Sequence, residues 1–151
     1  MYGRYRDADM AVFRLKRCTG DASNRRPQGY AHDVCGIRMP GAQWPRFSVR
    51  PRRWRDVFRS ASGNPPYLFS TPPGFAARYV VQCDQAALLQ DRLTNPMREW
   101  CLRHPKHWVE GEGAVLLLFK RPAMLKPNLL KISDFERLYR MGTEWVDMMV
   151  L

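Results

Sequence analysis

Five apolar residues in succession, Val115 to Phe119, follow closely on the triplet Gly111, Glu112, Gly113. Apolar side chains on both faces of a period-2 strand belong to an interior strand covered on both sides, and the spacing also fits a short buried helix. The glycines supply the permissive backbone of a tight reversal. The pattern therefore predicts a hairpin, with Trp108 and Val109 in the entering strand and Ala114 to Lys120 in the returning one.

The residues before this hairpin carry compatible signals. Ala77 to Cys83 is rich in aromatic and β-branched residues and reads as a strand, with Tyr79, Val81 and Cys83 on one face. Asp84 ends it and suits the cap of a helix starting at Gln85, in which Ala86, Leu89 and Leu93 face inward. Asn95 precedes Pro96, and a residue before proline is pushed out of the α region, so that helix breaks and a second one starts. Asn95 suits the cap and Pro96 the first helical position, with Met97, Trp100, Cys101 and His104 on one side until Pro105 stops it.

The front half is more irregular. Ala11 to Lys16 reads as a first strand, Thr19 to Gln28 as a polar, turn-rich mobile loop, and Tyr30 to Met39 as a second strand. Phe47 to Val49 gives a short third strand, and Tyr67 to Phe69 a short edge strand. Between them, Pro51 to Ala61 forms an amphipathic helix with Trp54, Val57, Phe58 and Ala61 in its apolar stripe and Gly63 as its stop. Thr71 to Gly74 is stiff enough for a hinge. After Lys120, an irregular link holds Pro122 and Pro127, with Leu125, Leu129 and Leu130 as anchors. Ser133, Asp134, Phe135 and Glu136 match a capping box opening a last helix, whose inner stripe is Phe135, Leu138, Tyr139, Val146 and Met149. Gly142 weakens that helix midway or admits a close neighbour.

Over 151 residues these elements predict one α+β domain, in which an antiparallel sheet built from the hairpin and the earlier strands is covered by the segmented helix and the C-terminal helix. No apolar run approaches the roughly 20 residues of a spanning helix. The residues from Met1 to Cys18 lack the apolar stretch of a secretory signal. Four dispersed cysteines, Cys18, Cys35, Cys83 and Cys101, form no CxxC pair, which fits reduced thiols in the cytoplasm.

Charge is uneven. Residues up to Ser60 carry a net +9 and the remainder +2, of a total of +11. Such a field favours anionic partners and says nothing about fold. The segment holding Arg46, Arg50, Arg52, Arg53, Arg55 and Arg59, with Arg38 upstream, interleaves arginines with Phe47, Trp54 and Phe58. Guanidinium forks fit phosphates and aromatic rings stack on bases, so nucleic acid is one candidate partner. A solvated basic face is the plainer reading, since those aromatics lie where burial is expected.

Other constellations are sparser. Cys101 and His104 at helical spacing, with His107 and Cys83 near, have the chemistry of a zinc or thiolate site, but Pro105 ends the helix before His107, and a buried cysteine is usually a small hydrophobe. Glu110 and Glu112 have the chemistry of an acid–base pair, yet on a hairpin tip they read as solvated turn charges. No nucleophile elbow, phosphate loop or dinucleotide fingerprint occurs. The sequence thus names no catalytic residue, metal or cofactor.

One diffuse pattern goes further. Pro45, Phe47 and Val49 lead into the basic segment, then come Pro73, Gly74, Phe75, Arg78, Tyr79 and Val81, then Asp84, Ala87, Leu93, Thr94, Pro96, Glu99 and Trp100, then Glu110, Gly111, Glu112, Leu116 and Leu118. That order, over roughly the last two-thirds of the chain, resembles an uncharacterised bacterial family, chiefly actinobacterial, whose members are often membrane-associated through hydrophobic segments ahead of this region. The resemblance implies no activity and no cofactor, and points to an interaction module.

The expectation is accordingly a non-enzymatic cytoplasmic module, peripheral at a membrane if attached at all. Its basic front half meets an acidic protein or an anionic membrane surface through Arg46, Arg50, Arg52, Arg53, Arg55 and Arg59. Nucleic-acid binding through Arg46 to Arg59 is the alternative. A small enzyme would require a cleft bringing Cys101, His104 and a carboxylate together. An apolar patch on the last helix would favour a protein partner or a homodimer.

Overall fold

Alternation of inward apolar and outward polar side chains builds the sheet. The structure, a computed structural model, describes residues 1–19, 28–53, 56, 69–120 and 132–150, with backbone alone for 16–19 and 28–31. Its strands are β1 (Tyr2–Tyr5), β2 (Ala8–Thr19), β3 (Gln28–Arg38), β4 (Trp44–Pro51), β5 (Tyr79–Cys83), β6 (His107–Gly113) and β7 (Val115–Lys120). They form one antiparallel sheet in the order β1-β2-β3-β7-β6-β4-β5. Met10, Val12, Cys35, Ile37, Leu116, Leu118, Val109, Phe47, Val49 and Val81 make a continuous buried face across it.

Helices cover that face. They are α1 (Phe75–Arg78), α2 (Ala86–Arg92), α3 (Asn95–Arg103) and α4 (Ile132–Val150). Helix α4 lies over β2, β3 and β7 with Leu138, Met141, Gly142, Trp145 and Val146 buried. Leu89 and Leu93 from the first helical segment, and Met97, Trp100 and Cys101 from the second, close the other end of the core. The α+β architecture with a segmented helix and a C-terminal helix over an antiparallel sheet is thus present.

Gly142 is the close-approach point of α4. A Cβ there would stand 2.7 Å from Cys35 Sγ and within contact distance of Met10 Cε, so glycine lets the helix sit directly on the centre of the sheet.

The hairpin turns later than the glycine triplet indicated. Gly111 stays in the ladder, opposite Phe47 on one side and Leu116 on the other, and Glu112 pairs with Val115. The reversal is Gly113–Ala114, with Gly113 at φ +59°. Gly111 is required for another reason, since a Cβ would run into Phe47 and Leu116. The central strand is also not covered equally on its two faces: Leu116 and Leu118 are buried, whereas Leu117 and Phe119 are half-buried and Val115 is 40% exposed.

Local signals shifted by small amounts. The strand predicted from Ala77 starts at Tyr79, because Phe75–Arg78 forms one helical turn first. Asp84 extends the ladder by donating its N–H to the Arg46 carbonyl, which leaves Gln85 as the residue bounding α2. Thr94, extended at ψ 165°, bounds α3, and the Asn95 side chain instead donates to Glu99 Oε1 at 2.9 Å. Ser133 is the second residue of α4, inside its first turn, two positions too late for the capping box.

Strand β1 was not anticipated, and β2 and β4 are longer than expected. Pro51 is the last residue of β4, opposite Tyr79, where a proline costs no interior ladder bond, so the predicted helix cannot start there. The remainder of that helix, apart from Arg52, Arg53 and Asp56, lies outside the described residues. So do the interior of the 19–28 loop, Tyr67, Leu68 and the link 121–131. Phe69 is buried in the core without being in a strand. At 71–74, flanked by buried Phe69 and Phe75, the chain turns with a cis Thr71–Pro72 bond.

Candidate anionic-partner site

The predicted arginines are sorted by the β4–β5 ladder. Phe47 and Val49 point into the core, so Arg46 and Arg50 point away from it. Arg46 is exposed. Arg50 is engaged inside the fold: its Nη1 and Nη2 donate to both oxygens of Asp56 at 2.7 and 2.6 Å, with side chains only 15% and 10% exposed. The Arg50 fork and the Arg53 N–H, which donates to Asp56 Oδ2 at 2.6 Å, hold the Asp56 carboxyl down at about 2.

Beyond Pro51 the ladder runs one step further. Arg52 N–H donates to the Arg78 carbonyl at 2.7 Å, which sets these two arginines side by side at the sheet's end. Arg52 Nη2 donates to the Ala76 carbonyl at 2.8 Å, while its Nε–H is enclosed without an acceptor. The Arg53 guanidinium stands 5.2 Å from the centre of the Trp108 ring. Together with Pro51, Ala77, Tyr79 and Pro105, these residues line an open cleft of about 550 Å3, a size typical of small-molecule sites. Among the described residues no acidic side chain lines it.

Arg78 is therefore a site residue that sequence reading missed. It precedes a strand with no neighbouring basic residue, and only the pairing register brings it to Arg52. Arg38 lies elsewhere, 68% exposed and 3.9 Å from Asp9. Arg55 and Arg59 are outside the described residues.

The cysteine–histidine constellation is a packing cluster. Trp100 stacks on His104 at 4.2 Å and meets Trp145 edge-on at 5.5 Å, and its Nε1–H donates to Glu144 at 2.6 Å. His104 Nε2 is 3.8 Å from the same carboxylate. Its pKa is lowered mainly by burial, against the opposing pull of Glu144. Burial pushes His107, only 6% exposed, down to about 4, and the Cys101 thiol up to about 12. Tyr79 OH donates to the Cys101 carbonyl at 2.6 Å, locking β5 to α3. Among the described residues no three His, Cys, Asp or Glu side chains are placed to hold a metal ion. Glu110 is half-buried within β6 rather than at the hairpin tip, with its pKa raised by burial, and Glu112 is exposed.

These features define an antiparallel α+β protein with an arginine-lined cleft at the β4–β5 end of its sheet. No protein-family model, curated protein or solved structure matches the chain. No helix among the described residues is long and apolar enough to cross a membrane.

Proposed function

We propose that this protein is a non-enzymatic cytoplasmic interaction module whose arginine-bearing end contacts an acidic protein or an anionic membrane surface. The observation carrying this reading is the cleft: Arg52, Arg53 and Arg78 line it, with no carboxylate among its described walls. Arg52 and Arg78 stand side by side at this opening, and an anionic partner relieves the repulsion between their charges. Asp56, the acid nearest in the chain, is held by Arg50 and the Arg53 backbone. A non-enzymatic role is supported by the Cys101 thiol, whose burial makes thiolate formation unfavourable near neutral pH.

Nucleic-acid binding is the second reading. Its support is a run of rings across the other sheet face, with Arg53 over Trp108, Trp108 at 5.6 Å from Phe119, and Phe119 at 5.7 Å from His32. The test is binding of the whole chain to labelled DNA, RNA, an acidic polypeptide and anionic vesicles across a salt series, beside a variant with Arg52, Arg53, Arg55 and Arg59 changed to Ser. Salt-sensitive binding to vesicles or acidic polypeptide that the variant loses supports the first reading. Tight nucleic-acid binding persisting near physiological salt and weakened in the variant supports the second. Equal, weak adhesion of both proteins to every polyanion refutes both.

A further inference from the structure

We infer that β1 is a self-pairing edge, through which two copies of this chain join their sheets antiparallel about a two-fold axis at Gly3. This surface lies at the other end of the sheet from the arginine-lined cleft and is independent of it. The β1–β2 ladder fixes which backbone groups are free. Met1 and Val12 exchange both backbone bonds, at 3.0 and 2.7 Å. Bonded and non-bonded pairs alternate along an antiparallel ladder, so Gly3–Met10 and Tyr5–Ala8 repeat that exchange while Tyr2–Ala11 and Arg4–Asp9 do not. The N–H and C=O groups of Tyr2 and Arg4 therefore point away from β2, along the open side of the strand that ends the sheet. Their side chains are uncovered as well. Tyr2 is 75% exposed, Arg4 is exposed, and Asp9 opposite it lies 3.9 Å from Arg38. An open edge is a template for another strand, and β1 has neither the proline nor the bulge that would blunt it.

The occupant is a second copy because the strand complements itself in one register. Outward groups must meet outward groups, which allows Tyr2 opposite Tyr2, Arg4 opposite Arg4, or Tyr2 opposite Arg4. The first leaves Arg4 outside the paired stretch. The second sets two guanidinium groups against each other and runs into the turn at Arg6, φ 52°. The third makes two bonded pairs and sets each Tyr2 ring beside Arg4 of the second copy, on the sheet face away from the helices, where ring and cation attract. Gly3 then stands opposite Gly3 on the axis. On the helix side Tyr139 already lies over it, its hydroxyl 2.8 Å from where a Cβ would be, so glycine keeps the crossing clear. Such a contact presents the same patch on both copies and closes after two, as a two-fold interface must. Its small size makes the dimer a reversible one.

The experiment is sedimentation velocity of the whole chain from low micromolar to millimolar concentration. Physiological salt screens the mutual repulsion of two chains of net charge +11. Arg4→Pro removes an outward N–H and no bond within the β1–β2 ladder, since Arg4–Asp9 is a non-bonded pair. Tyr2→Arg sets like charges opposite each other across the axis, and Tyr2→Glu sets opposite ones. Gln82→Glu, exposed on β5 at the far end of the sheet, controls for the change in net charge. Far-UV circular dichroism of dilute samples checks the fold of each variant.

The expected result is a concentration-dependent dimer whose dissociation constant rises at least about tenfold in Arg4→Pro and in Tyr2→Arg. Tyr2→Glu should dimerise at least as tightly as the wild type, and Gln82→Glu should match it. A chain that stays monomeric at millimolar concentration overturns the inference. So does a dimer that folded Arg4→Pro leaves intact, or one that Tyr2→Arg and Tyr2→Glu weaken equally. If Arg4→Pro fails to fold, the two Tyr2 variants decide alone, because they replace the same exposed side chain and differ only in the sign of the charge introduced.

Discussion

Replacing Gly142 by alanine should destabilise this protein, although the same change in an exposed helix interior stabilises by about 1 kcal/mol through helix propensity. The sign is reversed by what lies beneath α4. A Cβ at 142 would sit 2.7 Å from Cys35 Sγ and inside contact distance of Met10 Cε. Met10 can swing its terminal methyl aside. Cys35 cannot retreat so easily, being fully buried on β3 and paired on both sides, to Val12 and to Leu118. Forcing a methyl into such a packed site costs about 1–3 kcal/mol. Set against the propensity gain, the net loss is about 1 kcal/mol, or about 2–4 °C in Tm for a domain of this size. Gly142→Val should cost more. The assay is urea unfolding followed by tryptophan fluorescence, since Trp100 and Trp145 are both buried in the core. The cycle with Cys35→Ala should show a favourable coupling of about 1 kcal/mol as the sulfur is removed. A Gly142→Ala protein more stable than wild type, or a coupling near zero, would refute the close-packing account.

Three further outcomes are expected. Asp56→Asn should lower stability at pH 7 by about 2 kcal/mol, the worth of a carboxyl held near 2 rather than at its ordinary value. Because that pKa is depressed, the stabilisation is present above about pH 4 and fades as pH falls towards 2, so acid unfolding curves of wild type and variant should converge there. His107, pushed down to about 4, stays neutral in the folded protein while the unfolded chain takes up a proton below about 6.5. Stability should therefore fall as pH drops from 6.5 to 4, and His107→Phe should flatten that slope in a pH series of urea midpoints. In native protein, Cys83 should react with a thiol reagent before Cys35 and Cys101, whose thiols are buried and pushed up to about 12, and peptide mapping of the labelled cysteines reads the order.

What the sequence discloses tracks how local the cause is. Periodicity found the strand character of Val115 to Phe119 and part of the core side of α4, with Leu138 and Val146 buried and Phe135, Tyr139 and Met149 at its margin, but it passed over Met141 and Trp145. It placed Gly111 at a turn because glycine serves both reversal and close packing, and only the neighbouring Phe47 and Leu116 side chains distinguish the two. Proline misled similarly at Pro51, where a strand end and a helix start ask for the same φ. The site was legible as a basic segment but not as a cleft. Arg52 and Arg53 adjoin in sequence, whereas Arg78 joins them by strand register, and the withdrawal of Arg50 depends on where Asp56 sits.

The order of strands in the sheet also has a bearing on birth at the ribosome. Strands β1, β2 and β3 are consecutive hairpin neighbours and can pair as they emerge, but the next strand in space is β7 rather than β4. Until β7 has been synthesised, the inner edge of that early meander stays open, and until α4 follows, Met10, Val12, Cys35 and Ile37 have no helix over them. A nascent chain stalled between β3 and β7 therefore presents both an unpaired edge and a bare apolar face, the two features that invite mispairing with neighbouring chains.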